Sequence, residues 1–237
     1  ARVTLLARNA QRLELAQSQL AKAQGGQVKD GLIQVLSVDL TQAPLTLAAI
    51  DKVISQWGPI DVLVNSAGAA RRTPPDELSP QAWHDAMDAK YFSYMHAIDP
   101  VIKHMASRGQ GAIINIIGAG GKMASPIHLP GGAANAALML ATTGLANAHA
   151  AKGIRINGIN PGATLTDRLR EGLEAEARMQ GISMQEALAR STARIPMGRM
   201  AQPEEIANVA VFLASAKASY VNGAILTMDG VSTPTVL

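Results

Sequence analysis

The sequence predicts an α/β fold in which a doubly wound parallel sheet carries helices on both faces. Short runs rich in β-branched residues alternate along the chain with longer segments of helical periodicity. One such unit, strand 112–117, helix 131–151 and strand 154–159, has the composition of a right-handed crossover between parallel strands. The 237 residues contain no linker, short repeat or low-complexity segment, so we expect a single domain over residues 1–237.

Six segments are predicted to be strands because they are short and apolar and are bounded by turn-forming residues. They are residues 2–7, 32–38, 61–64, 112–117, 154–159 and 225–228. The run 112–117 is apolar on both sides of its one asparagine, which is typical of a strand buried on both faces. This alternation of strands with helices favours a parallel sheet.

The helices between these strands have recognisable ends. Asn9 is placed to cap the first helix, Pro44 lies in the first turn of the second, and Ser79–Pro80 begins a long third helix with a kink expected near Pro100. The predicted helices are residues 9–24, 41–57, 79–107, 131–151, two between 165 and 194 that are separated at Gly181, and one that begins at Pro203.

Composition excludes several classes of function. There are no cysteines, which rules out disulfides, thiol catalysis and cysteine-bound metals. The net charge is only +3 and no Lys/Arg cluster alternates with aromatic residues, so we expect no nucleic-acid partner. The five histidines lack metal-ligand spacing, so no metal is expected. No apolar run approaches the ~20 residues of a membrane span, so the predicted location is the cytoplasm, without membrane contact.

The segment 111–162 resembles the central segment of the short-chain dehydrogenases/reductases. The family pattern Tyr-Ser-Ala-Ser-Lys-Ala-Ala-Leu aligns with Gly-Gly-Ala-Ala-Asn-Ala-Ala-Leu at residues 131–138. The resemblance covers nearly the whole chain. It implies a Rossmann-like fold, and hydride transfer between a nicotinamide cofactor and a small carbonyl or alcohol substrate.

The same resemblance implies a set of cofactor-binding residues. Residues 65–68, Asn-Ser-Ala-Gly, are similar to the family's Asn-Asn-Ala-Gly turn beside the adenine ribose, and a tight turn lets backbone approach a nucleotide closely. Other positions match the adenine contact and the Pro-Gly-x-x-x-Thr element beside the nicotinamide. The residues assigned in this way are Asp39, Leu40, Asn65, Ala67, Gly68, Pro161, Gly162 and Thr166.

Cofactor preference depends on the end of the first predicted strand. Family members that prefer NAD have a carboxylate there, whereas this chain has Ala7 followed by Arg8 and Asn9. A guanidinium can bind a 2′-phosphate through charge-assisted hydrogen bonds. We therefore expect NADP(H) rather than NAD(H) and include Arg8 and Asn9 among the cofactor-binding residues. The alternative is that Arg8 is a solvated residue at a helix start.

The four catalytic positions of the family have all changed. The family's Asn, Ser, Tyr and Lys align here with Lys90, Gly118, Gly131 and Asn135. Positioned acid–base catalysis is typically worth ~10²–10⁴-fold in rate. We therefore expect ordinary family activity to be weak or absent.

His128 is the residue that we single out as a replacement acid. It lies three residues before Gly131, and its imidazole suits proton transfer near neutral pH. Lys90, Lys122 and Tyr91 are further candidates. The alternatives are that His128 is a loop residue exposed to water and that Lys90 is a solvated helix charge.

Two functional hypotheses therefore stay open. One is a reductase with a rebuilt site, and the other is a pseudoenzyme that serves as a nucleotide-binding or structural subunit. Small residues along 131–151 suit close packing against a partner helix, and the family resemblance implies a homodimer or homotetramer.

The predicted strand 2–7 corresponds to the second strand of the family. Its first strand and glycine-rich turn would lie upstream of residue 1, and a βα unit of this kind spans roughly thirty residues. We therefore expect a first βα unit that is apparently absent from this sequence.

Overall fold

Six parallel strands are present in the computed structural model, which describes residues 1–23, 32–68 and 72–234. They are β1 (Val3–Ala7), β2 (Ile33–Ser37), β3 (Val62–Asn65), β4 (Gly111–Ile116), β5 (Ile154–Pro161) and β6 (Ile225–Met228). Every strand predicted from the sequence is confirmed, with its bounds shifted by two residues at most.

The strands form two sheets. β1 pairs with β2, with Leu5 beside Val35, and the second sheet has the order β3-β4-β5-β6. The predicted parallel neighbours at 61–64 and 112–117 are confirmed, since Val64 lies beside Ile114. A single continuous sheet was expected, but no described backbone hydrogen bond joins β1 or β2 to the other four strands. The additional strand expected upstream of residue 1 stays a prediction.

Eight α-helices connect or flank these strands in the described ranges. They are α1 (Ala10–Ala23), α2 (Ala43–Trp57), α3 (Pro80–Ala86), α4 (Ser93–Arg108), α5 (Leu129–His149), α6 (Asp167–Gln180), α7 (Met184–Ala193) and α8 (Pro203–Ala214). The predicted break at Gly181 is confirmed, and this glycine has a positive φ of 63°. None of the helices within the described ranges is both long enough and apolar enough to cross a membrane.

The long helix predicted over 79–107 is interrupted by a π-helical turn that was not predicted. A π-helical turn spans Met87–Phe92 between α3 and α4, whereas α4 runs through Pro100 as one helix. The hydroxyl of Ser93 donates to the carbonyl oxygens of Ala89 and Lys90, at 3.0 and 3.2 Å, and so satisfies acceptors at the end of this turn. π-Helical turns inside α-helices are frequent at functional sites, and this one holds Lys90.

The core lies on both faces of β4. Ile113 packs into a cluster with Met105 of α4 and Leu138 of α5. The next residue, Ile114, belongs to a separate cluster on the opposite face, which includes Leu213 of α8. Because successive strand residues point to opposite faces, both faces of β4 are covered by helices, as the sequence predicted.

Candidate functional site

The candidate site lies at the carboxyl end of β4, where the chain turns towards α5. The loop contains two short 3₁₀ turns, Ala119–Gly121 and Pro126–His128, before α5 begins at Leu129. Gly118, which aligns with the family's serine, has a φ of 134°, a conformation that L side chains rarely adopt. The backbone at this position is therefore suited to glycine.

Close backbone packing joins this loop to the start of α5. A Cβ atom on Gly132 would lie 2.8 Å from the carbonyl oxygen of Gly120. A Cβ atom on Gly121 would lie 2.7 Å from the backbone nitrogen of Ala136. The glycines therefore let the loop lie directly on the helix, and a larger side chain at either position would force them apart.

His128 lies at this loop–helix contact. Its Nδ1 atom is fully buried, and the residue as a whole is only partly exposed, so it is not the water-exposed loop residue of the alternative reading. A Cβ atom added to Gly120 would lie 3.2 Å from Cδ2 and 3.8 Å from Nε2 of His128. The same added atom would lie 3.7 Å from Nδ2 of Asn135. The fold therefore brings His128 and Asn135 close to the same residue, Gly120.

Asn135, which the sequence analysis aligned with the family's lysine, lies on α5. The residue is only 6% exposed, and its Oδ1 atom is fully buried without a hydrogen-bond partner among the described residues. Its Nδ2 atom would be 3.1 Å from a Cβ atom placed on Gly118. Gly131, at the position of the family's tyrosine, is also buried. The Asn135 amide thus lies beside the backbone of Gly118.

Lys90 is buried, so the alternative in which it is a solvated helix charge is wrong. Only 8% of the residue is exposed, and Nζ donates hydrogen bonds of 3.0 Å to both the Tyr94 hydroxyl and the carbonyl oxygen of Ile116. The Tyr94 hydroxyl donates to the same carbonyl at 2.6 Å. Burial raises the pKa of the Tyr94 phenol above its usual value, so this hydroxyl stays protonated. The π-helical turn thus directs Lys90 inward, onto the end of β4.

The other two replacement candidates are placed differently. Lys122 Nζ contacts the Thr227 hydroxyl at 3.4 Å, and Tyr91 packs against the main core and forms an edge-to-face pair with Phe92. Neither has a described contact with His128 or Asn135.

Arg8 and Asp39, two of the predicted cofactor residues, line one cavity of about 520 Å³ beside α2. Hydrogen bonds from the backbone and hydroxyl of Thr41 lower the pKa of the Asp39 carboxyl, and the nearby Arg8 guanidinium lowers it further. Lys52 lines the same cavity. Asn9, another predicted cofactor residue, caps α1: its Oδ1 accepts a hydrogen bond of 2.9 Å from the backbone nitrogen of Arg12.

Leu40 and Asn65 have internal hydrogen-bond partners. The carbonyl oxygen of Leu40 accepts a hydrogen bond of 2.9 Å from His96 Nδ1. Asn65 is buried at the end of β3 and donates to Asn115 Oδ1, which is 2.9 Å away. Asn115 in turn donates to the Thr142 hydroxyl on α5, also at 2.9 Å. This chain of polar side chains joins β3, β4 and α5.

The remaining predicted residues shape turns. Gly68, which follows Ala67, has a φ of 85° and packs so closely on the carbonyl of Ala89 that no Cβ would fit. Pro161 ends β5, and the backbone nitrogen of Gly162 donates to the carbonyl oxygen of Met228.

Thr166 is the N-cap of α6, where its hydroxyl accepts a hydrogen bond from the backbone of Leu169. No described contact links Thr166 to the cluster around His128.

Sequence reasoning missed two groups of residues in this region. Tyr94 was not singled out, although it lies one helical turn after Lys90, where the two side chains can meet. Asn115 and Thr142 were also missed. The available signal was Asn115 itself, because a polar residue inside a buried strand requires a hydrogen-bond partner.

Comparisons with known proteins agree with this architecture. Residues 1–231 match the family described as Enoyl-(Acyl carrier protein) reductase. Among curated relatives, the gluconate 5-dehydrogenase of Gluconobacter oxydans is 34% identical over 231 residues, which cover 97% of this chain and 84% of the relative.

Solved structures add two comparisons that contain NADPH. The L-sorbose reductase of Gluconobacter frateurii, complexed with NADPH and L-sorbose, is 27% identical with a TM-score of 0.91, covering all of this chain and 88% of that structure. An NADPH-bound short-chain oxidoreductase of Pseudomonas aeruginosa, described as containing an atypical catalytic centre, is 27% identical with a TM-score of 0.87 and the same coverage. The parallel sheets, the match over residues 1–231 and these similarities together establish that the chain belongs to the short-chain dehydrogenase/reductase family.

Proposed function

We propose that this protein is an NADP(H)-dependent oxidoreductase that acts on a small carbonyl or alcohol substrate, with His128 as the group that gives or takes the proton. The observation that supports this proposal is the position of His128. Its imidazole lies against Gly120, in the loop that follows β4, and the Asn135 amide lies close to the same glycine. This is the region in which the family places its serine, tyrosine and lysine.

NADPH, when bound, supplies the hydride for reduction of a carbonyl carbon. Cationic groups of this chain fit its 2′-phosphate, because Arg8 and Lys52 line the same cavity at the ends of β1 and β2. His128 then protonates the substrate oxygen, or removes the proton in the reverse direction. An ordinary imidazole has a pKa of about 6.5, which suits this role near neutral pH.

The rate is expected to be low compared with family members that retain all four catalytic residues. Lys90 is bound to Tyr94 and Ile116 inside the protein, and glycine cannot donate a proton at positions 118 and 131. The remaining contributions are the positioning of the two reactants and the single acid His128. Because a complete acid–base apparatus is worth ~10²–10⁴-fold, we expect a reduced but measurable turnover.

The substrate class that we propose is a small polyhydroxylated carbonyl or alcohol compound. This is supported by two similar proteins, a gluconate 5-dehydrogenase and an L-sorbose reductase. The first probes are therefore 5-keto-D-gluconate and L-sorbose with NADPH.

The second candidate function is a non-catalytic nucleotide-binding or structural subunit. It is favoured by the hydrogen bonds from Lys90 to Tyr94 and Ile116. These bonds give the buried lysine a role in stabilising the fold that requires no catalysis. It is also favoured by the glycine packing between the loop and α5.

Self-association is part of this proposal. Exposed apolar residues lie on α5 and α8, namely Leu140 at 78% exposed, Val211 at 68% and Phe212 at 42%. Such residues suit an interface between copies, and we propose a homodimer or homotetramer. The cytoplasmic location stays a prediction.

The test measures NADPH binding by thermal shift and then NADPH oxidation with the two probes. The variant is His128→Ala, and the matched control is His84→Ala, because His84 is exposed on α3. Turnover that is lost in His128→Ala and kept in His84→Ala supports the enzyme. Binding of NADPH without any turnover by the unmodified protein supports the non-catalytic subunit instead. Unchanged turnover in His128→Ala would show that His128 is not the acid.

A further inference from the structure

We propose that Asn135 is a catalytic residue whose side-chain amide donates a hydrogen bond to the substrate oxygen and so orients it towards His128. This inference rests on the function proposed above and adds a residue to its mechanism. In the family, the serine aligned with Gly118 orients the substrate oxygen through its hydroxyl. We assign this orienting role to the amide of Asn135 on α5.

The first argument is the position of the amide. Nδ2 of Asn135 would be 3.1 Å, and its Cγ 3.8 Å, from a Cβ atom on Gly118. The amide group therefore borders the space that a side chain at position 118 would enter. Because Gly118 has no side chain, the Asn135 amide is a polar group that can reach a substrate there.

The second argument is that the amide has no structural task within the described part of the chain. Oδ1 is fully buried without a partner, although residues as buried as Asn135 normally have their polar atoms hydrogen-bonded. No hydrogen bond of Nδ2 is found among the described residues either, and Nδ2 is not one of the fully buried unpartnered atoms. A buried amide kept without partners indicates a requirement other than folding.

The third argument is the shared space at Gly120. His128 Nε2 and Asn135 Nδ2 are 3.8 and 3.7 Å from the same point, the position of a Cβ on Gly120. Because that point is a bond length from the Cα atom of Gly120, a substrate oxygen cannot occupy it, but the two nitrogen atoms can be at most about 7.5 Å apart, the sum of 3.8 and 3.7 Å. A substrate oxygen that lies between the two nitrogen atoms can therefore accept from Asn135 and receive a proton from His128 after each side chain shifts by about 1 Å, since an N–H···O hydrogen bond spans about 2.9 Å.

The reaction is balanced with these two residues. In the direction of reduction the carbonyl π bond breaks, the hydride from NADPH forms the new C–H bond, and the proton from His128 forms the O–H bond. NADPH becomes NADP⁺, and neutral His128 regains its proton from solvent. Asn135 is not changed, and its hydrogen bond is strongest when negative charge develops on the oxygen.

The test compares Asn135→Ala and Asn135→Asp with the control Asn147→Ala, which removes an exposed asparagine from the same helix. Asn135→Asp keeps the shape but loses the N–H donor, and it serves as the main variant if Asn135→Ala does not fold. We expect kcat for 5-keto-D-gluconate or L-sorbose to fall by about 10²-fold in both variants, the lower end of the loss seen when one such donor is removed. The Kd for NADPH of both Asn135 variants, and the kcat of the control Asn147→Ala, should stay within twofold of the values for the unmodified protein.

Three outcomes would overturn the assignment. If kcat stays within twofold in both variants, Asn135 does not act on the substrate, while the proposed function still stands. If only the NADPH Kd rises, the amide holds a hydroxyl of the nucleotide. If the unmodified protein turns over neither probe, this assignment fails together with the proposed function.

Discussion

The contact between Gly132 and Gly120 gives a direct test of how the loop after β4 is held on α5. A methyl group added by Gly132→Ala would lie 2.8 Å from the carbonyl oxygen of Gly120, which is closer than real Cβ atoms come to other heavy atoms. The obstacle is backbone and cannot rotate away as a side chain would. The loop, the helix or both must therefore shift.

Two opposing effects determine the size of the change. Replacing glycine by alanine in a helix normally stabilises a protein by about 0.5–1 kcal/mol. Overpacking of a close contact typically costs about 1–3 kcal/mol. For Gly132→Ala we expect the second effect to exceed the first, with a net loss of about 1–2 kcal/mol in the free energy of unfolding. For a chain of this size, about 1 kcal/mol corresponds to a shift of about 2–4 °C in Tm.

The same helix offers a matched control. Gly144 is exposed on α5, and nothing lies within 4 Å of the Cβ that Gly144→Ala would add. This variant should be more stable than the unmodified protein by about 0.5–1 kcal/mol, through helix propensity alone. Urea unfolding followed by circular dichroism measures both variants. If Gly132→Ala proves as stable as Gly144→Ala, the loop does not pack on α5 as described.

Two further predictions concern the C-terminal part of the chain. Val231 has a left-handed backbone conformation, with a φ of 66°, and is 56% exposed. Val231→Gly should remove this strain with little loss of packing and raise the free energy of unfolding by about 1 kcal/mol. An unchanged or lower Tm would contradict this prediction. Hydrogen bonds from the Arg199 guanidinium and then from the Gln202 backbone lower the pKa of Glu205 from 4.5 to about 2. Because the pKa is lower in the folded state, this contribution to stability is present above pH 4.5 and is lost as the pH falls towards about 2. Glu205→Gln should therefore lose less stability than the unmodified protein between pH 6 and pH 2.5 in urea unfolding, by a modest amount since the pair is exposed to solvent.

Local patterns in the sequence were sufficient to predict most of the helices and strands. The β-branched run at 112–117 predicted a strand buried on both faces, and Ile113 and Ile114 indeed belong to separate core clusters. The cap at Asn9 and the break at Gly181 were confirmed for the same reason, because a helix end depends on the few residues that surround it. The π-helical turn was not predicted. Pro100 is visible as a helix breaker in the sequence, whereas the π-helical turn packs against the turn at Gly68, which is distant in sequence.

What the sequence by itself determined is the alternation of strands and helices and the family. It also predicts which residues stand at the four catalytic positions of the family. What only the tertiary structure decided is where those side chains lie. Lys90, for which a solvated helix charge was one alternative, is buried against Tyr94 and Ile116, and both Asn135 and His128 lie close to Gly120. The physical reason is range: secondary structure follows from neighbours along the chain, whereas burial and hydrogen bonding of Lys90 and Asn135 depend on residues that are distant in sequence and become neighbours only when β4 and the helices pack together.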